Sequence, residues 1–508
     1  MATAESIYRL GEDAAALIED TRCFIDGRRE DGEGEHRSKL NPTSGTELGS
    51  WANATEAQVD RAIAAARSAF DDGPWRSFGG AERGALLHRL ADSIEEHMPA
   101  LVEVVGADVG SPVSLAKPLQ LEGALFNFRW FADAARVGPD GWYERGMTVD
   151  APSGGTHPGL VSHGMMVREP AGVVAAITAY NFPYSLVAFK LGAALAAGCT
   201  VILQPSPRAT LSTLALWSLI ERLELPPGVV NLVLGEAEVG QRLTSSPDVD
   251  LVSFTGSAAV GERIMEQAAT GLKKVILELG GKSPNILLPG TDVAAAVEPS
   301  LLRLITNAGQ RCGATSRTLV HRDSYEEFRD AAARYLDAVA VGDPRDPATI
   351  VGPVVDEAHL ASVQRFVDRA LADGAEVVAG GGEPPAEFPD GAFMRPLLLA
   401  GLGNESELCQ EEFFGPVGAL LPYDDVEEAI AIANDSQYGL NANVFGPTAA
   451  ALGVARRLRS GNVTINGGGR IRPEAPWGGF GRSGVGRESG DEGFREFFEV
   501  KHIQWPLP

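Results

Sequence analysis

Four cysteines in 508 residues, none in CxxC spacing, leave little material for a disulfide framework or a zinc site. They are Cys23, Cys199, Cys312 and Cys409. The eight histidines form no HExxH pair, so no metal site is expected. Basic residues are also scarce: 43 Lys and Arg face 68 Asp and Glu, a net charge of −25. A chain this acidic lacks the surface that binds nucleic-acid phosphates, and nucleic acid is excluded as a partner. Long apolar runs are missing too. The longest, from Val187 to Leu203, is short and interrupted by Lys190, so no membrane span is expected. The opening MATAESIYRLGEDAAALIED carries charges where a secretory leader needs an apolar run, which makes a reducing cytoplasm the expected location. What is present is ordinary: 44% hydrophobic and 22% charged residues describe a soluble globular protein.

The first forty residues read as a turn-rich lead-in. Val59, Ala62, Ile63, Ala66 and Phe70 recur at helical spacing. Further helical patterns cover about 81–105 and 119–137. Between 147 and 167 the chain turns β-prone around a Gly- and Pro-rich tip, a hairpin-like excursion. From 172 to 280, five short apolar strands (GVVAAITA, TVILQ, VVNLVLG, LVSFTG and KKVILELGG) alternate with helices. That rhythm predicts a parallel, doubly wound sheet of the nucleotide-binding type. From 285 to about 466, NILLPG, RTLVHRD, AEVVAGG, GALLPYD, NANVFG and NVTIN predict a second α/β unit. The tail EFFEVKHIQWPLP ends as a strand without an obvious partner.

Several positions invite chemistry. FTGSAAVG (254–261) places Gly256 and Ser257 at the start of a helix, where backbone N–H groups favour a pyrophosphate. The GxGxxG at 479–484 follows no strand and is discounted. Glu278 ends an apolar strand; it either reaches a lysine such as Lys273 or Lys282, or is buried, with a raised pKa suited to a general base. Cys312 lies in the polar, Gly-rich NAGQRCGATS beside Arg311, whereas Cys199 lies in apolar AAGCTV and reads as inert core. Asn181, before Phe182 and Pro183, is either a turn residue or an amide aimed at an oxyanion. Glu411 and Glu412 adjoin an aromatic turn.

Taken together, EPAGVVAAITAYNFP, FTGSAAVG, ELGGKSP (278–284), NAGQRC (307–312), EEFFGPV and PWGGFGRSGVGRE resemble, in this order, the NAD(P)-dependent aldehyde dehydrogenase superfamily. The likeness runs from about Cys23 to Ile503. It implies an α/β fold: a Rossmann-like NAD(P)-binding domain (20–146 and 170–280), an α/β catalytic domain (281–485), and a small β oligomerisation element (147–169 and 486–508) whose strands pair across subunits of a homodimer or homotetramer. It implies that Cys312 attacks the aldehyde, that Asn181 and the Cys312 N–H hold the oxyanion, that Glu278 activates the hydrolytic water, and that Lys190 orients or relays protons. Gly256, Ser257 and Gly261 would approach the cofactor pyrophosphate and Glu412 the nicotinamide ribose. Phe414, Gln204, Leu279 and Tyr180 complete the cofactor set.

Two departures bear on specificity. The family's Lys-Pro-x-Glu reads Gln-Pro-Ser-Pro at 204–207, which loses both a phosphate partner and a phosphate deterrent; Arg208 adjoins. NAD is the expected cofactor, with NADP as the alternative. Gly467, Gly468 and Gly469 stand where relatives carry larger side chains. Phe182, Leu186, Phe189, Ile471 and Trp477 would then form an apolar funnel for an aromatic or medium-chain aldehyde. Arg311, Arg470 and Arg472 argue instead for a carboxylate-bearing semialdehyde. Rivals are a CoA-acylating dehydrogenase, which generally lacks a glutamate at the Glu278 position, and a non-catalytic structural relative.

Overall fold

The computed structural model describes residues 10–138, 141, 143–150, 161–468 and 472–506. The five expected βα strands form the centre of an eight-stranded sheet. Its spatial order is Gly484–Val485, Lys274–Glu278, Leu251–Thr255, Val173–Ile177, Thr200–Gln204, Val230–Leu232, Cys23–Ile25 and Arg28–Glu30. The central five run parallel, and the added strands at both edges run antiparallel. From Val173–Ile177 the chain winds to one side, then crosses back to build Leu251–Thr255 and Lys274–Glu278 on the other. That reversal opens a crevice at the carboxyl ends of these strands, where ligands of doubly wound sheets bind. Every residue of Thr200–Gln204 and Leu251–Thr255 is buried, which is why these strands are apolar runs rather than alternating patterns.

The second sheet has seven strands, ordered Glu376–Gly380, Leu397–Ala400, Val417–Tyr423, Arg317–His321, Pro284–Leu287, Asn441–Phe445 and Asn462–Ile465. Only the first pair is antiparallel. The six strands expected from sequence are present; Leu397–Ala400 was not anticipated, because PLLLA offers neither alternation nor turn signals of its own. A separate apolar cluster covers each face of this sheet.

Three expectations change. The helix expected over 81–105 is two, Gly80–Glu96 and Met98–Val109, because Pro99 lacks an N–H and is accommodated only in a first turn. The C-terminal strand Phe498–Pro506, which had no obvious partner in the sequence, has one within the chain: it pairs antiparallel with Val161–Pro170, from Phe498 against Pro170 to Pro506 against Ser162, and Glu144–Asp150 completes three strands. The tip at 151–160 lies outside the described residues. Finally, a boundary at 485 cuts a segment that the first sheet holds together. Gly484 and Val485 pair with Glu278 and Leu277, and Phe494, Phe497 and Phe498 join the apolar core of the first sheet.

Candidate active site

A cavity of about 1020 Å³ opens at the crevice. It spans the carboxyl ends of four adjacent strands, with Glu278 on one outer strand and Gln204 on the other. Asn181, Cys312 and Glu412 also line it.

Cys312 sits on the loop that follows the helix Val293–Ile305. Asn307, Ala308 and Gly309 are consecutively left-handed, at φ 58°, 53° and 73°. Two non-glycine residues there store strain that the surroundings must offset. Side chains from the loop supply the bracing. Asn307 Nδ2 donates to the Asn181 carbonyl at 3.0 Å; Gln310 Nε2 donates to the Asn307 carbonyl at 3.1 Å, and Gln310 Oε1 accepts from the Val355 N–H at 2.9 Å. This is the physical content of the Asn-x-Gly-Gln spacing. Asn181 Nδ2 donates to the Gln310 carbonyl at 3.1 Å, so one of its two amide protons is committed and the second remains.

Glu278 is 2% exposed. It does not reach a lysine: Lys273 donates to backbone carbonyls of Ser246 and Val249, and Lys282 Nζ is buried without a partner. Instead Glu278 Oε1 accepts from Trp477 Nε1 at 3.1 Å, while Oε2 is buried without a partner. Burial, and then the nearby charge of Glu488, push its pKa up to about 8. The half-buried Cys312 thiol lies beside Glu278. Burial first, and then that carboxylate, hold the thiol well above its ordinary value, while Arg311 pulls it down. The two glycines after Glu278 make this convergence possible. A Cβ on Gly280 would lie 2.2 Å from Glu412 Oε2, and one on Gly281 would lie 2.4 Å from the Cys312 carbonyl.

Lys190 lies in a widened π-type turn, Ala188–Gly192. It is fully buried, ion-paired with Glu488, and 3.3 Å from Ser253 Oγ; it does not line the cavity. Glu488 escaped the sequence reading. Its only signal was a carboxylate closing the Gly-rich GVGRE, and nothing local says that its side chain turns inward.

The cofactor set gathers around the same cavity. Gly256, Ser257, Leu279, Tyr180, Gln204, Glu412 and Phe414 line it. Ser257 caps the helix Ala258–Ala269, whose start offers free N–H groups. Gly261 lies one turn into that helix, where it packs on Leu279. Gln204 Nε2 donates to the carbonyls of Gly235 and Glu236, at 3.0 and 2.8 Å, and its Oε1 is buried and unpartnered. Glu412 Oε1 accepts from the Gly281 N–H at 3.0 Å, and burial raises its pKa to about 7. Phe414 is left-handed at φ 56°, and its carbonyl accepts from His359 Nε2 at 2.8 Å. Arg208 is ion-paired to Asp356 at 2.9 Å and stacks over the Tyr180 ring. Orphaned acceptors along a mostly apolar crevice with a helix start at its middle fit a dinucleotide.

The model of the aldehyde dehydrogenase family matches residues 29–503. The chain belongs to the aldehyde dehydrogenase family. It is 38% identical over 499 residues to an aldehyde dehydrogenase of Enchytraeus buchholzi, covering 97% of each chain. Among solved structures it resembles Staphylococcus aureus betaine aldehyde dehydrogenase in complex with NAD+, with a TM-score of 0.91, 33% identity, and coverage of 98% of this chain and 97% of that one. It also resembles a Mycobacterium tuberculosis aldehyde dehydrogenase complexed with NAD+, with a TM-score of 0.89, 36% identity, and coverage of 96% and 98%. NAD+ is thus the cofactor held in these relatives.

In this family member the expected funnel residues do not line the cavity that holds the cofactor set. Leu186 is buried, and Phe182, Phe189, Arg311 and Trp477 are half-buried. Ile471, Gly469 and Arg470 lie outside the described residues. Arg472 pairs with Glu474 at the surface, whereas among the described residues Arg311 has no carboxylate partner.

Proposed function

We propose that this aldehyde dehydrogenase oxidises an aldehyde to the acid with NAD, using Cys312 as nucleophile and Glu278 as base. The single observation that carries this reading is the cavity in which a buried, unsatisfied carboxylate with a pKa near 8 meets the only half-buried cysteine beside a helix start. Glu278 takes the thiol proton, and Cys312 Sγ then adds to the aldehyde carbonyl. The Asn181 amide and the Cys312 N–H stabilise the resulting oxyanion, each such donor contributing roughly 3–4 kcal/mol to the barrier. Bound NAD supplies the hydride acceptor. Gly256, Ser257 and Gly261 would lie along its pyrophosphate; Glu412 and Phe414 would hold the nicotinamide side, and Gln204, Leu279 and Tyr180 the remainder. With Arg208 engaged by Asp356, the adenosine end has one fewer cation for a 2′-phosphate, which supports NAD over NADP. Once that proton has passed to solvent, the ionised Glu278 deprotonates the water that adds to the acyl carbon of the Cys312 thioester; the C–S bond breaks, the acid leaves and the thiolate is restored. The presence of Glu278 supports hydrolysis rather than acyl transfer to CoA. Lys190 holds the Glu488 carboxylate beside Glu278.

Phe182, Leu186, Phe189 and Trp477 suit an aromatic or medium-chain apolar aldehyde. A semialdehyde is the second reading, favoured by Arg311, which has no carboxylate partner among the described residues. A division into cofactor-binding and catalytic units, with the three-stranded element as a dimer or tetramer contact, belongs to the same proposal. The test is absorbance at 340 nm with an aldehyde panel, NAD and NADP in parallel, without and with CoA. Wild type should reduce NAD without CoA, and Cys312→Ala should lose at least ~10⁴-fold of that rate. Turnover confined to semialdehyde acids would select the second reading, and a requirement for CoA would overturn hydrolysis.

A further inference from the structure

The segment from Trp477 to Glu488 touches Glu278 at every level. Gly484 pairs with the Glu278 backbone, and the Ser483 carbonyl accepts from the Leu279 N–H at 3.0 Å. The ends of the segment are tied to each other. The Trp477 N–H donates to the Glu488 carbonyl and the Glu488 N–H to the Trp477 carbonyl, both at 2.7 Å. From this closed strap two side chains act on one carboxylate. Trp477 Nε1 donates to Glu278 Oε1, and the Glu488 carboxylate, held by Lys190, repels it. The indole ring lies against the Gly313 backbone, where a Cβ would stand 3.1 Å from Cη2. A side chain read from sequence as part of an apolar funnel therefore aims its one polar atom at the base.

We propose that Trp477 is the positioning residue of Glu278, fixing Oε1 so that Oε2 faces Cys312 and the hydrolytic water. The inference rests on the reading of Glu278 as base. An N–H donor stabilises the ionised carboxylate, so it opposes the burial and the Glu488 charge that keep Glu278 protonated. The charged and titratable groups around the pair are Glu488 on the strap, Lys190 on the π-type turn and Cys312 on its loop, with Glu412 and Arg311 facing the thiol.

Trp477→Phe keeps an aromatic side chain and removes the N–H along with the outer part of the indole that lies on Gly313. Two pH profiles are measured for wild type, Trp477→Phe, Glu278→Gln and the double variant. One is kcat for aldehyde oxidation; the other is the rate of Cys312 alkylation by iodoacetamide, which needs no substrate or cofactor. The expected result is an alkaline shift of roughly one pH unit in both profiles for Trp477→Phe. In the Glu278→Gln background the same substitution should produce no further shift. Profiles that stay in place overturn the proposal: a change in KM alone would leave Trp477 as a pocket wall, and a pH-independent fall in kcat would make it a structural residue. If wild type oxidises no aldehyde, the proposed function fails, while the alkylation profiles still decide the role of Trp477.

Discussion

Two buried charged side chains, Arg317 in the second sheet and Glu278 at the end of the first, meet the same difficulty with opposite outcomes. Arg317 is 1% exposed, yet it donates from Nε to the Lys282 carbonyl at 3.0 Å, from Nη1 to Asn404 Oδ1 and the Ile432 carbonyl at 2.8 and 2.9 Å, and from Nη2 to the Ala433 carbonyl at 3.0 Å. Its charge is dispersed over a fixed set of acceptors, which is how a buried cation becomes structural. Glu278 has one donor, a like charge nearby and an orphaned oxygen. Unsatisfied polar atoms recur around it, at Glu488 Oε2, Asn181 Oδ1, Thr255 Oγ1 and Tyr180 Oη. The difference teaches that the carboxylate at the end of the first sheet keeps an acceptor available, whereas Arg317 spends its donors on fixed acceptors.

The strongest test of this contrast is Glu278→Gln. Hydrolytic turnover should fall roughly 10²–10⁴-fold and lose its acid limb near pH 8. Stability should move the other way. A carboxyl whose folded pKa is raised from 4.5 to about 8 has its full stability below pH 4.5 and loses it as pH rises through 8. Glu278→Gln should therefore melt above wild type at pH 9 and differ little from it at pH 4; equal melting temperatures at pH 9 would mean that the carboxylate is satisfied in solution.

Arg317→Met should break the structural side of the comparison. Four acceptors lose their donors, which costs roughly 3 kcal/mol or more. Urea unfolding should register that loss, with turnover per folded molecule unchanged.

The smallest effect is expected at Lys282, which shares burial with Arg317 but has no partner beyond the Phe413 ring, 3.5 Å from Nζ. Burial lowers its pKa to about 7. A lysine with a depressed folded pKa costs stability as pH falls from its unfolded value toward 7. Lys282→Met should be within about 1 kcal/mol of wild type at pH 10 and at least as stable at pH 7. A large loss at pH 7 would place Lys282 with Arg317 instead.

The regular layers were legible because their signals are local. VVAAI, TVILQ and LVSFT are strand-length runs that only burial on both faces explains, and the helices between them carry 3.6-residue periodicity. Cys312 was separable from Cys199 because one lies among Gly and polar residues and the other among alanines. The helix break at His97 and the intrachain partner of the tail were harder. The first hangs on one proline, and the second on a strand more than 300 residues away.

By itself the sequence determined the alternation of strands and helices and the polar, Gly-rich setting that separates Cys312 from the other cysteines. Those follow from periodicity and local composition. Only the tertiary structure decided that Glu278 points at Trp477 rather than a lysine, that Lys190 belongs to Glu488, and that Arg317 meets four fixed acceptors. Each of these is a contact between distant segments. The direction of a buried charge is set by which partners the fold brings within about 3 Å, and no local pattern encodes that distance.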